Sequence, residues 1–321
     1  MVFFGNLFQK NDGVDKNFIN IVMARENGEE WAQEKIREMW NNGEPDLFGR
    51  INRAFVYIYE DAARRGNREA ILKYARGLAY SNRDAEALQW YMSLINRNDT
   101  EAMRELAADY SEFGGLGENK AEQNKWIRRA AELGDSEAMV SLALNLAAAG
   151  DRRQSEYWYQ QSAKLGNPDG KYGYAEKLKL DLAVINRLLN GIREDACAEI
   201  YSQYRVSSRE ECVETVKNLY FTVEELYIDV LNDSRKETSV KGAYKSLSLH
   251  YLYPPKGIFE PMPYRAAYFK YKEYYIFEED YDFEELKKIV GEYNLKITNR
   301  TLDEWQDMPF EEWARQNGID E

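Results

Sequence analysis

One feature constrains this chain more than any other: a glycine that returns at a nearly fixed interval with the same neighbours. Gly28, Gly66, Asn98, Gly134 and Gly166 stand 38, 32, 36 and 32 residues apart. Asn98 fits the series because asparagine, like glycine, tolerates the left-handed backbone region. Four residues after each comes a small side chain: Ala32, Ala70, Ala102, Ala138, Gly170. Eight after comes a large one, Ile36, Tyr74, Leu106, Leu142, Tyr174, and twelve after another, Trp40, Leu78, Tyr110, Leu146, Leu178. Eight before stand Ile58, Trp90, Trp126 and Trp158, and only the first copy departs, with Asn20. Steps of four keep side chains on one helix face. A left-handed residue ends one helix, and the next begins directly after it. The small residue lets two helices approach, and the large ones fill the groove between neighbouring hairpins.

The best-formed copy is FGGLGENKAEQNKWIRRAAELG, residues 113–134, with SEAMVSLALNL after it. Trp126, Ala130 and Leu133 fall at i, i+4 and i+7, Gly134 stops the helix, and Asp135 or Ser136 can cap the next. Neither helix could bury its apolar face alone, which is the mark of a repeat. On Gly115, Gly117, Lys120-Ala121, Trp126, Ala130-Ala131, Gly134, Glu137-Ala138 and Leu142-Ala143, and on Trp158-Tyr159, Ala163 and Gly166, the chain resembles the Sel1-like repeat family, relatives of the tetratricopeptide repeat. The resemblance covers roughly Val14 to Leu180, about half the chain. It implies an all-α fold, an α/α solenoid of helix-turn-helix repeats. The expected organisation is an N-terminal segment over 1–14, the repeats over 15–180, and a mostly helical, tyrosine-rich region over 181–321 that caps or extends them.

Beyond Leu180 the register fails. Asp181–Leu189, Glu194–Arg205 and Ser208–Asp233 read as helices, the last two separated by a Ser207-Ser208 capping signal. Arg235–Lys241 reads as a polar loop. Residues 250–286 carry twelve Tyr and Phe and four Pro, so Tyr264–Phe277 fits a helix or a strand. Asp282–Tyr293 reads as a helix. A last one, capped by Asn299 or Thr301, runs through Asn317 with Trp305 and Trp313 inward.

Composition narrows the function classes. A net charge of −13 repels phosphate backbones and anionic lipid, and no basic patch offsets it, so neither nucleic acid nor membrane insertion is expected. A basic protein partner fits the charge. The opening VFFGNLFQKND is too short and broken for a membrane span and has no positive flank, which points to a cytoplasmic protein. Two cysteines, Cys197 and Cys212, read as free thiols with a disulfide as the alternative, and two Cys with one His cannot make a usual structural zinc site.

No constellation calls for catalysis. The cluster Gly114-Gly115-x-Gly117-x-x-Lys120 lacks phosphate-loop spacing and a preceding strand, so a repeat turn accounts for it. His250, the only histidine, sits among Leu, Tyr and Pro and reads as a structural or surface residue. The acidic run Glu278-Glu279-Asp280, Asp282, Glu284, Glu285 lacks calcium-loop geometry. It reads as a solvated face or, with Tyr281 and Phe283 interleaved, a hook for a basic partner. No cofactor or metal is expected.

The remaining candidate surface is the concave side of the repeats. If the helix after each turn lines it, the positions three, six and ten past the turn face inward without belonging to the core. These are Trp31, Glu34 and Glu38; Glu69, Leu72 and Arg76; Glu101, Arg104 and Ala108; Glu137, Val140 and Leu144; Asp169, Tyr172 and Glu176. The recurring acid at the first position is what any helix start favours, so the apolar members point more strongly to recognition. The resemblance implies a non-catalytic adaptor or scaffold that binds a partner protein; a bacterial immunity protein neutralising a toxin is one concrete version. The alternative it raises is a hydrolase of the cysteine-rich type that binds or cleaves β-lactams, from which this chain departs by lacking a cysteine pair in each repeat.

Overall fold

The computed structural model describes residues 14–189, 203–204, 208–233, 237–277, 280–297 and 308–319. Every regular element among them is a helix. In chain order these are α1 Lys16–Glu26, α2 Glu30–Asn41, α3 Leu47–Arg64, α4 Arg68–Tyr80, α5 Asp84–Ile95, α6 Thr100–Asp109, α7 Lys120–Glu132 and α8 Ser136–Ala148. There follow α9 Arg152–Lys164, α10 Pro168–Leu189, α11 Arg209–Leu231, α12 Glu237–Leu252, α13 Pro263–Phe277, α14 Asp280–Glu292 and α15 Phe310–Asn317. The chain forms two compact units, Met1–Leu142 and Ala143–Glu321.

The five repeat turns have one geometry. Gly28, Gly66, Gly134 and Gly166 take φ of 82°, 83°, 96° and 80°, and Asn98 takes 60°. At each, the turn N–H donates to the carbonyl three residues back and the next N–H to the carbonyl four before the turn, as in Gly134 N–H to Ala131 O (3.0 Å) and Asp135 N–H to Ala130 O (3.1 Å). Crossed bonds of this kind satisfy the carbonyls that a helix end leaves open. The residue after the turn then caps the following helix. Asn67, Asp99, Asp135 and Asn167 accept from the backbone N–H of Ala70, Ala102, Ala138 and Gly170 at 2.9–3.0 Å. Glu29 makes no such side-chain cap. The small residue four past the turn is buried in all five copies and is the capped one in the last four.

Within the first unit, α1 and α2, α3 and α4, and α5 and α6 pair as hairpins, which stack through α1 on α3, α4 on α5 and α6, and α6 on α7. The 113–119 loop closes onto this stack. Tyr80 Oη donates to Phe113 O at 2.6 Å, Leu116 N–H to Asp109 O at 3.0 Å, and Asn119 N–H to Tyr110 O at 2.9 Å. A Cβ on Gly114 would lie 2.2 Å from Asp109 O, and one on Gly115 2.7 Å from the α4 backbone. Close backbone approach, and Gly117 at φ 75°, explain these glycines without any phosphate.

In the second unit α9 and α10 pair, and α10 packs on α11 and α12, α12 on α13, and α13 on α14. The core runs through Leu178, Ile185, Val216, Val223, Tyr227, Leu247 and Trp313. Two expectations need correction, and one left open between helix and strand is decided. The break expected at Asp181 is absent: α10 continues to Leu189 because Leu182 and Ile185 stay on its buried face. Of the loop expected over Arg235–Lys241, residues 237–241 are the first turn of α12, with Ser239 buried. Residues 264–277 are helical, since Ala266, Ala267, Phe269, Lys270 and Glu273 recur at helical spacing on the buried side. The Ser208 cap is present as a full capping box with Glu211. Residues 1–13, 194–202 (Cys197 among them), 205–207, Arg235, Glu278-Glu279, Asn299, Thr301 and Trp305 lie outside the described residues. Cys212 is buried and unbridged.

Candidate functional site

Most charged candidates from the repeat register turn out to join neighbouring helices. Arg68 on α4 reaches the Asp99 cap (2.6 Å) and Glu101 (2.7 Å) of the next hairpin. Arg104 on α6 reaches the Asp135 cap at 3.1 Å, and Arg76 pairs with Glu105. Glu69 meets Lys73 at 3.3 Å, and Lys73 also bridges to Glu26 at 2.6 Å. Exposed pairs of this kind contribute little stability each, but their side chains are already engaged. Leu72 is buried and belongs to the core. Glu137 lies half-buried and engaged, Ala108 is exposed and Val140 half-buried.

The fifth copy departs furthest from an open surface. Asp169 accepts from Ser239, and Glu176 accepts from Tyr227 and, at 2.8 Å, from Ser246. The Tyr172 ring lies 6.0 Å from that of Tyr227 and against Gly242, where a Cβ would come within 2.7 Å of it. These three positions seat α11 and α12.

What stays open is concentrated on α2. Trp31 is 55 % exposed, its indole N–H donating to Glu29 at 2.7 Å. Glu34 pairs with Arg37, and Glu38 with Lys35 at 2.9 Å, all within the helix surface. On the opposite side Trp40 is 65 % exposed. It borders a groove of about 470 Å³ with Ile36, Gln33 and Arg37 of α2 and Arg25 and Glu26 of α1. The register places Trp40 among the groove-filling positions, where Leu78 and Leu178 are buried. The reason for the difference is packing: α4 lies on α5 and α6 on α7, whereas α2 has no comparable packing on α3 and leans on α1. Leu144 on α8 is exposed as well, at 56 %.

Among the described members of the acidic run, Glu284 is exposed and Glu285 half-buried, but Asp282 turns inward. Asp282 is buried, and Lys270 Nζ on α13 sits 3.4 Å from Asp282 Oδ1, 2.7 Å from Glu273 and 2.7 Å from Glu285. Burial pushes the Glu273 carboxyl above its ordinary range, although the bond and charge of Lys270 pull the other way. Phe283 packs on Tyr274 with ring centroids 4.9 Å apart, while Tyr281 is exposed and donates to Glu285 at 2.7 Å. Sequence reasoning missed this cluster. Its one local signal is Lys270 standing at the helical spacing of the apolar Ala266 and Ala267.

Among the described residues no group of three or more His, Cys, Asp or Glu is placed to hold a metal ion, and no helix is long and apolar enough to cross a membrane. No family model matches the chain, and no curated protein matches it. Among solved structures it is similar to a Sel1 repeat protein from Oxalobacter formigenes, at 19 % identity over 88 % of this chain and 99 % of the other, with a TM-score of 0.43. It is also similar to a protective antigen of uropathogenic Escherichia coli strains that displays an SLR fold, at 18 % identity over 95 % of this chain and 74 % of the other, with a TM-score of 0.31. Likenesses this shallow carry no weight for function; the hairpins and their turns stand on the geometry above.

Proposed function

We propose that this chain is a non-catalytic scaffold that binds a partner protein, with α2 as its principal docking helix. The observation that carries the reading is the uncovered α2. In a chain built of hairpins whose second helix packs on the next, this one keeps its groove-filling tryptophan exposed. Tryptophan and arginine dominate binding energy where they are buried by a partner, and here Trp40 and Arg37 border the same groove. Trp31, Glu34 and Glu38 extend the docking helix on its other side, and Leu144 offers a separate exposed apolar point in the second unit. Arg76, Glu101, Arg104, Asp169 and Glu176, engaged in bonds between helices, serve the fold first.

The groove holds Arg25, Arg37 and Glu26 together, so the partner surface it fits is apolar with mixed charge at its edge. Toxin neutralisation is one concrete form of this function. Its test is co-expression with a toxin encoded beside this chain's gene. The general reading is tested by affinity capture with the wild-type protein and a Trp31→Glu/Trp40→Glu variant. Loss of the captured partner, with helical content unchanged, is the expected result. An identical captured set would remove α2 from the reading.

A further inference from the structure

The second unit contains a pocket of about 330 Å³ between the second half of α10 and the end of α12. Its apolar side is made by Leu182 of α10, Leu249 of α12, and Tyr253 with the Pro254-Pro255 pair just beyond α12. Its polar side is made by Lys179, Asn186 and His250, and among its described lining residues there is no carboxylate. The volume lies at the lower end of small-molecule sites, which run from roughly 300 to 1,000 Å³.

His250 decides what the polar side can take. It is buried at 6 % exposure, and its Nε2 makes no hydrogen bond. The ring cannot swing away to find one. It stacks on Tyr220 at 3.7 Å between centroids and 19° between planes, and Tyr220 in turn stacks on Phe259 at 4.4 Å. Burial first, and then the Lys179 charge, push the imidazole down to about 3, so it is neutral at any ordinary pH. A neutral imidazole carries one proton, and the bond made by one nitrogen sets the role of the other. The ring donates to the Tyr220 backbone, which keeps the proton on Nδ1 and leaves Nε2 an acceptor. Asn186 Oδ1, with two lone pairs, is a second buried acceptor in the same wall. Lys179 Nζ brings donors to it. Its carboxylate neighbour, Glu176 at 3.4 Å, already accepts from Tyr227 and Ser246.

We infer that this pocket binds a small, uncharged apolar molecule ending in a primary carboxamide, its N–H donating to His250 Nε2, its carbonyl accepting from Lys179 Nζ and its body against Leu182, Leu249 and Tyr253. Other head groups each fail on one of the polar residues. A carboxylate suits the lysine but sets its lone pairs against two acceptors. An ammonium suits the acceptors but meets the lysine charge. A ketone or ester leaves Nε2 buried and unpaired. A hydroxyl has a single proton for two acceptors, whereas the amide NH₂ has two and its carbonyl accepts beside them. Proline and tyrosine faces suit a flat or branched body. This inference involves none of the α2 residues and does not depend on α2 as a docking helix.

The test joins NMR and isothermal titration of the full chain. His250 is the only histidine, so isotopic labelling of histidine nitrogen reports its ring alone. At neutral pH Nε2 should show the shift of an unprotonated nitrogen, and it should move when hydrocinnamamide is added. In titration hydrocinnamamide is expected to bind. Benzylacetone, with a methyl in place of the NH₂, should bind about tenfold more weakly because the methyl faces a buried acceptor. Hydrocinnamate should also bind more weakly than the amide. Lys179→Met should cost the amide a similar factor. Ala183→Trp, which fills the pocket from an exposed position of α10, should abolish binding while circular dichroism stays unchanged. A protonated Nε2 in the free protein, equal binding of amide and ketone, tighter binding of the acid, affinity indifferent to either variant, or no heat from hydrocinnamamide would each overturn the inference. Tighter binding of N-acetylphenylalaninamide than of hydrocinnamamide would overturn the small-molecule assignment in favour of an amidated peptide end. None of these outcomes bears on the capture experiment with the tryptophan variant.

Discussion

Asp109, at the last turn of α6, offers the sharpest quantitative test of the fold. Its carboxyl is buried and accepts from the Tyr91 hydroxyl at 2.7 Å. Burial raises its pKa from 3.8 to about 6, against the opposing pull of the Tyr91 bond, the Arg76 charge and a backbone bond from Gly115. The sign follows from linkage. A group whose folded pKa is raised contributes stability that is fully present below the unfolded value, near pH 3.8, and is lost as pH rises through about 6. A displacement of that size corresponds to about 3 kcal/mol. Asp109→Asn removes the ionisation. The amide oxygen can still accept from Tyr91, but the buried amide NH₂ costs about 1–3 kcal/mol if it finds no acceptor, a cost that does not vary with pH. The diagnostic is therefore the slope. The stability of Asp109→Asn relative to wild type should rise by up to about 3 kcal/mol between pH 4 and pH 7. The assay is denaturation at a series of pH values read by hydrogen exchange of the α5 and α6 amides, so that the first unit is followed alone. Parallel curves for the two proteins across that range would refute the argument.

Two further substitutions test other parts of the fold. Gly134→Ala adds a Cβ that meets nothing within 4 Å, yet at φ 96° it should cost about 1–2 kcal/mol, whereas Asn98→Gly should be neutral or mildly stabilising; urea midpoints decide. Lys270→Met leaves Glu273 and Asp282 buried without their cation and should cost about 3–5 kcal/mol, part of which returns when Glu273→Gln and Asp282→Asn are added. A loss below about 1 kcal/mol for Lys270→Met would mean that the cluster relaxes or takes up protons.

The turns are legible in the sequence because the constraint is local. A left-handed residue restricts its own identity, so Gly28 through Gly166, and Asn98 among them, announce the conformation they adopt. Of the caps one residue past the turns, Asn67, Asp99, Asp135 and Asn167, only Asp135, with Ser136 as its alternative, reads as a cap from the sequence. Exposure is not legible. Trp40 shares its register with Leu78, and only the path of α3 decides that one is covered less than the other. The acids and arginines three to ten residues past the turns look alike in sequence. The geometry of the neighbouring helix engages Arg104 and Glu176 in bonds and leaves Trp31 outward. Lys270 and Asp282 are twelve residues apart on different helices, a pairing that no periodicity encodes. His250 reads from its neighbours as a packing residue and is one, but its orphaned nitrogen exists only because Tyr220 and Phe259 hold the ring in place.

The hairpin turns also bear on how fast this chain reaches its structure. In the first unit each helix finds its main partners among the next one or two along the chain, α3 with α4, α4 with α5 and α6, and α6 with α7. Little loop-closure entropy is lost before a contact forms, the condition under which folding runs in microseconds to milliseconds. Any hairpin whose crossed turn bonds form first can seed its neighbours. A strained turn at Gly134→Ala should then slow folding only if that hairpin belongs to the nucleus; otherwise it should speed unfolding and leave the folding rate alone.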